Sequence, residues 1–267
     1  MGDVVKEITP DLYDHAAREV GADPFARVGD GTRFAQPALY CASAALWIRA
    51  GSPRADFVAG HSLGELGALV AGGAIAVEDG LRLAARRGRV MQEVAESQRA
   101  GGMLALLGDE ESARRIAADR GLTVANHNAP GQLVVSGPEE DLRAARRDGE
   151  GERLKAMPLA VSGAFHTEAM APALSEFRAA LDEVDVEAPT VPVFSSIAAR
   201  AFTDIRNELA QALVRPVRWR ETLTALRDRG VERFVEVGPG KVLKGLVCRT
   251  LPDVEADVLR APEVAHA

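Results

Sequence analysis

The sequence predicts an α/β fold: a large, mostly parallel sheet flanked by helices and interrupted by a small ferredoxin-like insert. Three observations predict it. Short apolar runs bounded by turn residues alternate with amphipathic helical stretches at both ends of the chain. The middle reads strand, helix, strand, strand, helix, strand. One strand enters a helix through a sharp turn, "FVAGHSLGEL", in which a serine stands between glycines.

Taken in order, an amphipathic helix carries His15, and "QPALYCASAALWIRA", 36–50, follows as a helix with Pro37 suited to its first turn. "ADFVAG" reads as a short buried strand. "LGELGALVAGGAI" is a small, apolar helix, and "VEDGLRLAARRGRVMQEVAE" is amphipathic with acidic residues early and basic residues late, as the helix dipole prefers. The insert comprises the strands "GGMLALLG", "LTVANHN", "GQLVVSG" and "ERLKAMPLAV" with the helices "EESARRIAADRG" and "PEEDLRAARRDG". Beyond it come the helix "TEAMAPALSEFRAALDEV", the strand "VPVFSSI", a helix around "ETLTALRDRG", the strand "VERFVEV" and a last helix after "GPG". Residues 1–98 and 160–267 are therefore expected to form the large subdomain and 99–159 the small one.

Composition narrows the function classes. At 267 residues, 47% hydrophobic and 27% charged, the chain can bury a real core and is neither disordered nor fibrous. A net charge of −7 opposes non-specific binding to nucleic acid or anionic membrane, which needs a cationic surface. Cys41 and Cys248 lie far apart without Cys/His spacing, which suggests neither a disulfide framework nor a metal site and points to a reducing, cytoplasmic setting. No apolar stretch reaches the ~18 to 20 residues a bilayer needs, and the N-terminus lacks a signal-peptide pattern.

Gly60, Ser62 and Gly64 form G-x-S-x-G, the nucleophile elbow of the α/β-hydrolase type, so the large subdomain is expected to be α/β-hydrolase-like. The glycines on either side are read as steric clearance for an exposed hydroxyl. The first turn of the following helix has unpaired N–H groups, that of Leu63 among them, to offer an oxyanion. Serine needs a base to take its proton. Of five histidines, His61 adjoins the serine at a turn where side chains diverge, His127 lies in the insert, His15 on a solvent-facing helix and His266 at the terminus. His166, in "VSGAFHTEAM", stands where the chain returns from the insert, the place for a cleft-facing base.

"GHSLGE", "RRGRVMQ", "NHNAPGQLVVSG", "VSGAFH", "PVRWRETL" and "EVGPGKVLKGL" occur in this order over nearly the whole chain. Together they resemble the malonyl-CoA:acyl carrier protein transacylases and the related acyltransferase domains of polyketide synthases. The resemblance implies that Ser62 is acylated, that His166 is the general base, and that a backbone carbonyl, mapped to Ala212, orients the imidazole. It assigns Arg87 to the malonyl carboxylate, a role suited to a planar guanidinium, and leaves Arg86 and Arg89 as a solvated helix face. Gln36, His61, Asn128 and Phe165 map to positions lining the acyl site. Phe165 favours malonyl over methylmalonyl, while Gly163 departs from the histidine that polyketide-type enzymes carry there. The implied substrate is malonyl-CoA and the implied partner is acyl carrier protein; no permanently bound cofactor, a monomer, and no nucleic-acid or membrane partner are expected. "EVGPGKVL" is read as a packing turn, since Val242 after Lys241 breaks the P-loop pattern.

The family also opens with a strand and a phenylalanine-proline-glycine-glutamine-glycine turn that has no counterpart here. The native product is accordingly expected to be longer, and this chain to lack one oxyanion donor and turn over slowly. Two other readings stay open: a serine esterase or thioesterase on the same scaffold, and a truncated homologue that binds carrier protein without catalysis.

Overall fold

A computed structural model describes residues 1–97, 101–161 and 163–259. The chain opens on three helices, α1 (Gly2–Ile8), α2 (Pro10–Val20) and α3 (Thr32–Arg49). Pro10 starts α2 and Gly21, with φ 74°, ends it; both are residues whose backbone preferences suit those positions. Pro37 lies inside α3 and not in its first turn, because the helix begins earlier: Gln92 Oε1 accepts the Arg33 N–H at 3.0 Å and holds that first turn. Strand β1 (Val58–Ala59) is only two residues long and leads through the elbow into α4 (Gly64–Ala71) and the long α5 (Val77–Ser97). Helices α3 and α5 lie close because Gly88 has no side chain: a Cβ there would come within 2.6 Å of Thr32 O. That approach sets Arg87 beside Gln36.

The middle of the chain forms β2 (Gly101–Leu107), α6 (Glu110–Asp119), β3 (Thr123–Ala129), β4 (Gln132–Pro138), α7 (Glu139–Gly151) and β5 (Lys155–Pro158). The strands make one antiparallel sheet of order β3-β4-β2-β5. Asp109 caps α6 by accepting the Ser112 N–H at 2.8 Å. Strand alternation divides β2 between two cores: Leu104 and Leu106 join Ile116, Leu133 and Leu142, while Met103 and Ala105 join the core built on α3, α4 and α5. Both faces of β2 are covered, so it reads as a continuous apolar run. Two register irregularities in β3, between Val124 and Asn126 and between His127 and Ala129, accompany a link to the rest of the chain. His127 N–H donates to Val217 O and Val217 N–H to Ala125 O, each at 2.8 Å.

After a 3₁₀ turn at Glu168–Ala173 follow α8 (Leu174–Asp182), β6 (Val193–Ser195), β7 (Arg200–Ala201), α9 (Ile205–Gln211), α10 (Trp219–Arg227), β8 (Arg233–Glu236), α11 (Val242–Thr250) and β9 (Glu255–Val258). The fold is thus α/β with mixed sheets. The single, mostly parallel sheet expected for the outer segments is not formed. Strand β1 pairs with β6 in parallel and β6 with β7 antiparallel, while β8 and β9 make a separate parallel pair. Among the described residues no strand bonds to β1 on the side away from β6, so no ladder joins the two groups. Only β6 is buried throughout; along β8, exposed Arg233 and Val235 alternate with half-buried neighbours, as in a strand with one open face.

Candidate active site

The elbow is built by sterics. A Cβ on Gly60 would lie 2.0 Å from the carbonyl carbon of Gly64 and 2.2 Å from Glu65 N, so strand and helix can close on each other only over a glycine. Ser62, at the apex, is held at φ 53°, a left-handed conformation that non-glycine residues adopt rarely. Gly64 does not share this duty: a Cβ there would meet nothing within 4 Å, which corrects the expectation that both glycines are clearance. The close contact is made by the Gly64 backbone, which every residue type has.

The structure brings His166 to this serine from 104 positions away, with Ser62 Oγ 2.8 Å from His166 Nε2. On the other side of the ring, His166 Nδ1 donates to the main-chain carbonyl of Ala212 at 2.7 Å. That bond fixes the tautomer: Nδ1 carries the hydrogen, and Nε2 is free to accept the hydroxyl proton. His166 is itself at φ 60° and is 5% exposed. Burial, with the Arg87 charge adding to it, pushes the imidazole down to about 3, so it stands neutral at physiological pH.

Arg87 reaches the same oxygen. Its Nη2 donates to Ser62 Oγ at 3.1 Å and its Nη1 to Gln36 Oε1 at 2.7 Å. Gln36 is oriented in turn by donating to Thr32 Oγ1 at 2.8 Å and Met91 Sδ at 3.4 Å. Arg87 is 5% exposed, and burial lowers the guanidinium to about 10, which leaves it cationic. Its neighbours on α5 differ: Arg86 and Arg89 face outward and pair with Glu176, and Arg89 also with Glu93. The first wall of the site is therefore a serine touched at once by a neutral imidazole and a buried cation.

The four-stranded sheet also reaches the elbow. Asn128, on β3, bonds through Oδ1 to His61 Nε2 at 2.8 Å, and the edge of Trp219 meets the His61 ring at 5.5 Å between centroids. His61 is thus fastened to β3 and packed against Trp219, with burial lowering its pKa.

Residues 22–264 match the acyl transferase domain family. The chain belongs to that family. It is 41% identical over 252 residues to the polyketide biosynthesis protein ThaF of Burkholderia thailandensis, which covers 90% of this chain but only 21% of that protein. It is 35% identical over 279 residues to the malonyl CoA-acyl carrier protein transacylase of Salmonella typhimurium, covering 97% of this chain and 90% of the relative. A solved structure of a type II polyketide synthase acyl-carrier protein in complex with its malonyl-transacylase matches with TM-score 0.85 and 33% identity, over 96% of this chain and 87% of that one.

Within this acyltransferase, the remaining sequence-predicted residues fall as follows. The hydrogen bonds of the elbow turn start with Gly64 N–H to His61 O, and the Leu63 N–H precedes them. Phe165 is buried in the main core, and its ring occupies the space a Cβ on Gly163 would need, 2.5 Å away. The departure from histidine at position 163 therefore accommodates this phenylalanine. His15 pairs with Glu19 and His127 with Glu221; His266 and both residues of the proposed boundary at 98/99 lie outside the described residues. Two residues of the acyltransferase's site escaped the sequence reading. Trp219 lay in the quoted "PVRWRETL", but nothing in the string shows that it meets His61. Glu65 carried a signal: it is the one charged residue in "LGELGALVAGGAI", and it is buried.

Proposed function

We propose that the protein transfers a malonyl group from malonyl-CoA to the pantetheine thiol of an acyl carrier protein through a malonyl-serine intermediate. One observation carries the reading: Ser62 Oγ is contacted by His166 Nε2 and by Arg87 Nη2 together. A hydrolase needs the first contact; a charged guanidinium beside the nucleophile is what a free carboxylate on the acyl group would call for.

In this scheme Ser62 Oγ attacks the thioester carbonyl and its proton passes to His166 Nε2, while the Nδ1–H stays on the Ala212 carbonyl. The Leu63 N–H faces the developing oxyanion. The carbon-sulfur bond breaks and CoA leaves with the proton from His166. The carrier thiol then gives its proton to His166, attacks the malonyl ester, and Ser62 regains the proton. The acyl carboxylate replaces Gln36 and Ser62 as acceptors on Arg87, so it also offsets the positive charge that depresses His166. A carboxylate-bearing substrate thereby strengthens the base that must act on it; an acetyl group cannot. Gln36, His61, Asn128 and Phe165 shape the acyl site.

The same reading divides the chain into an α/β-hydrolase-like subdomain, 1–98 with 160–267, and a ferredoxin-like one, 99–159. The separate apolar core under α6 and α7 supports that division. The same reading takes the protein to be a monomer and puts it in the cytoplasm, the latter in keeping with free Cys41 and Cys248.

The test is intact mass. Mixing with malonyl-CoA should add one malonyl group, on Ser62, that Ser62→Ala abolishes and holo acyl carrier protein removes. A folded protein that takes up no adduct, or a Ser62→Ala protein that still does, defeats the proposal.

A further inference from the structure

Glu65 lies in the first turn of α4, three residues after Ser62, and is 1% exposed. Its Oε1 accepts the Ser196 N–H, at the end of β6, at 2.6 Å. No guanidinium or ammonium lies within ion-pair distance of it among the described residues. Arg87 stands likewise without a carboxylate in contact: its bonds go to Gln36 and Ser62. The two buried charges nonetheless feel each other, for each favours the charged form of the other. A buried carboxylate costs several kcal/mol when uncompensated, and an amide or an apolar side chain would serve a purely structural helix.

Among the described residues, Ser196 favours the charged form of Glu65, its N–H by a hydrogen bond; Arg87, on α5, stabilises that charge, and Glu208, on α9, opposes it. Glu208 is occupied elsewhere, accepting from Thr203, the Asp204 N–H and Arg200. Glu208 thus has its own donors, which leaves Arg87 and Glu65 as buried charges without an ion-pair partner in contact among the described residues. A malonyl carboxylate on Arg87 would bring a further anion into the same low-dielectric region.

We propose that Glu65 is a positioning residue for acyl selection: it is the counter-charge of Arg87 before substrate binds, and it takes up one proton from solvent when the substrate carboxylate arrives, keeping the buried site neutral. Burial already pushes the Glu65 carboxyl up to about 7, so the proton is gained at little cost near neutrality. The inference depends on the malonyl reading above, but its test does not require turnover.

The experiment uses the Ser62→Ala protein, which binds without being acylated. Calorimetry of malonyl-CoA binding at pH 8, in two buffers of different ionisation enthalpy, should show uptake approaching about one proton per ligand beyond that seen with CoA alone. Between pH 7 and 8.5 the affinity for malonyl-CoA relative to CoA should fall by up to about tenfold per pH unit. In Ser62→Ala/Glu65→Gln, where the amide oxygen still accepts from Ser196, both effects should vanish. Absence of extra proton uptake in Ser62→Ala overturns the proposal without any Glu65 variant; uptake that persists in the double variant overturns the assignment to Glu65. A wild-type protein that forms no malonyl-serine would instead count against the function itself.

Discussion

Arg87 Nη2 donates to Ser62 Oγ at 3.1 Å, so a buried cation and the elbow hydroxyl are held in one hydrogen bond. Under the function proposed above, the distance between carboxylate and carbonyl in a three-carbon diacid is matched by residues that never have to move far, and selection and chemistry share an atom.

Removing the guanidinium should uncouple them. Hydrogen bonds to charged groups contribute about 1.5 to 3 kcal/mol each, so Arg87→Ala should lower kcat/KM for malonyl-CoA by about 10²-fold or more. Acetyl-CoA, with nothing to pair, should lose little or gain. Steady-state rates with both thioesters check this; an unchanged malonyl-to-acetyl preference would favour the esterase reading.

The elbow glycines should behave differently from each other. Gly60→Ala drives a Cβ into the Gly64 backbone at 2.0 Å, and overpacking of this kind costs about 1 to 3 kcal/mol or more. Gly64→Ala meets open space at the first position of a helix, so it should leave stability unchanged or slightly raise it. Urea denaturation of the two variants decides it, and equal midpoints would show that the turn relaxes around the added methyl.

His166 should leave a mark on acid stability. Its folded-state pKa, about 3, lies below the ~6.5 of an unfolded histidine. Between those values the unfolded chain binds the additional proton, so stability falls as pH falls through the window and is regained above it. Glu65 acts in the opposite sense, because its pKa is raised to about 7 from an ordinary ~4.3; the stability tied to it is present at low pH and lost as pH rises through 7. Thermal unfolding of wild type and His166→Gln between pH 7 and 4 should diverge, by up to about 1.4 kcal/mol per pH unit, with the variant less sensitive to acid. Parallel curves would contradict a buried, neutral His166.

Asn128 is the handle by which the four-stranded sheet holds His61. Asn128→Leu keeps the volume and removes the 2.8 Å bond, leaving a ring nitrogen unpaired at a cost of about 1 to 3 kcal/mol. We expect kcat/KM for malonyl-CoA to fall by about tenfold or more on that figure, with the four-stranded sheet's own core untouched. A variant within twofold of wild type would mean that Trp219 alone positions His61.

Local spacing made the elbow, the helices of the insert, Ser62 and the choice of His166 legible, because turn sterics and helical periodicity are properties of the string; Arg87 and Ala212 were reached only through the resemblance carried by the ordered motifs. Pairing between distant segments was not legible. The sheet was expected whole, yet among the described residues β1 bonds only to β6, and β8 finds its partner in β9, a strand the sequence reading did not contain. Which backbone edge meets which depends on register and on what covers each face, and two-residue strands such as β1 carry too few side chains to announce either.

What the sequence by itself determined, then, is the set of reactive groups and the glycine that lets one of them stand at the apex of a turn. Only the tertiary structure decided that Glu65 is buried against Ser196, 131 positions away, that Trp219 abuts His61, and that Gly64 has room for a side chain. The physical reason is range: steric limits on φ act between neighbouring residues, whereas desolvation and charge compensation are set by whatever the folded chain brings within a few ångströms.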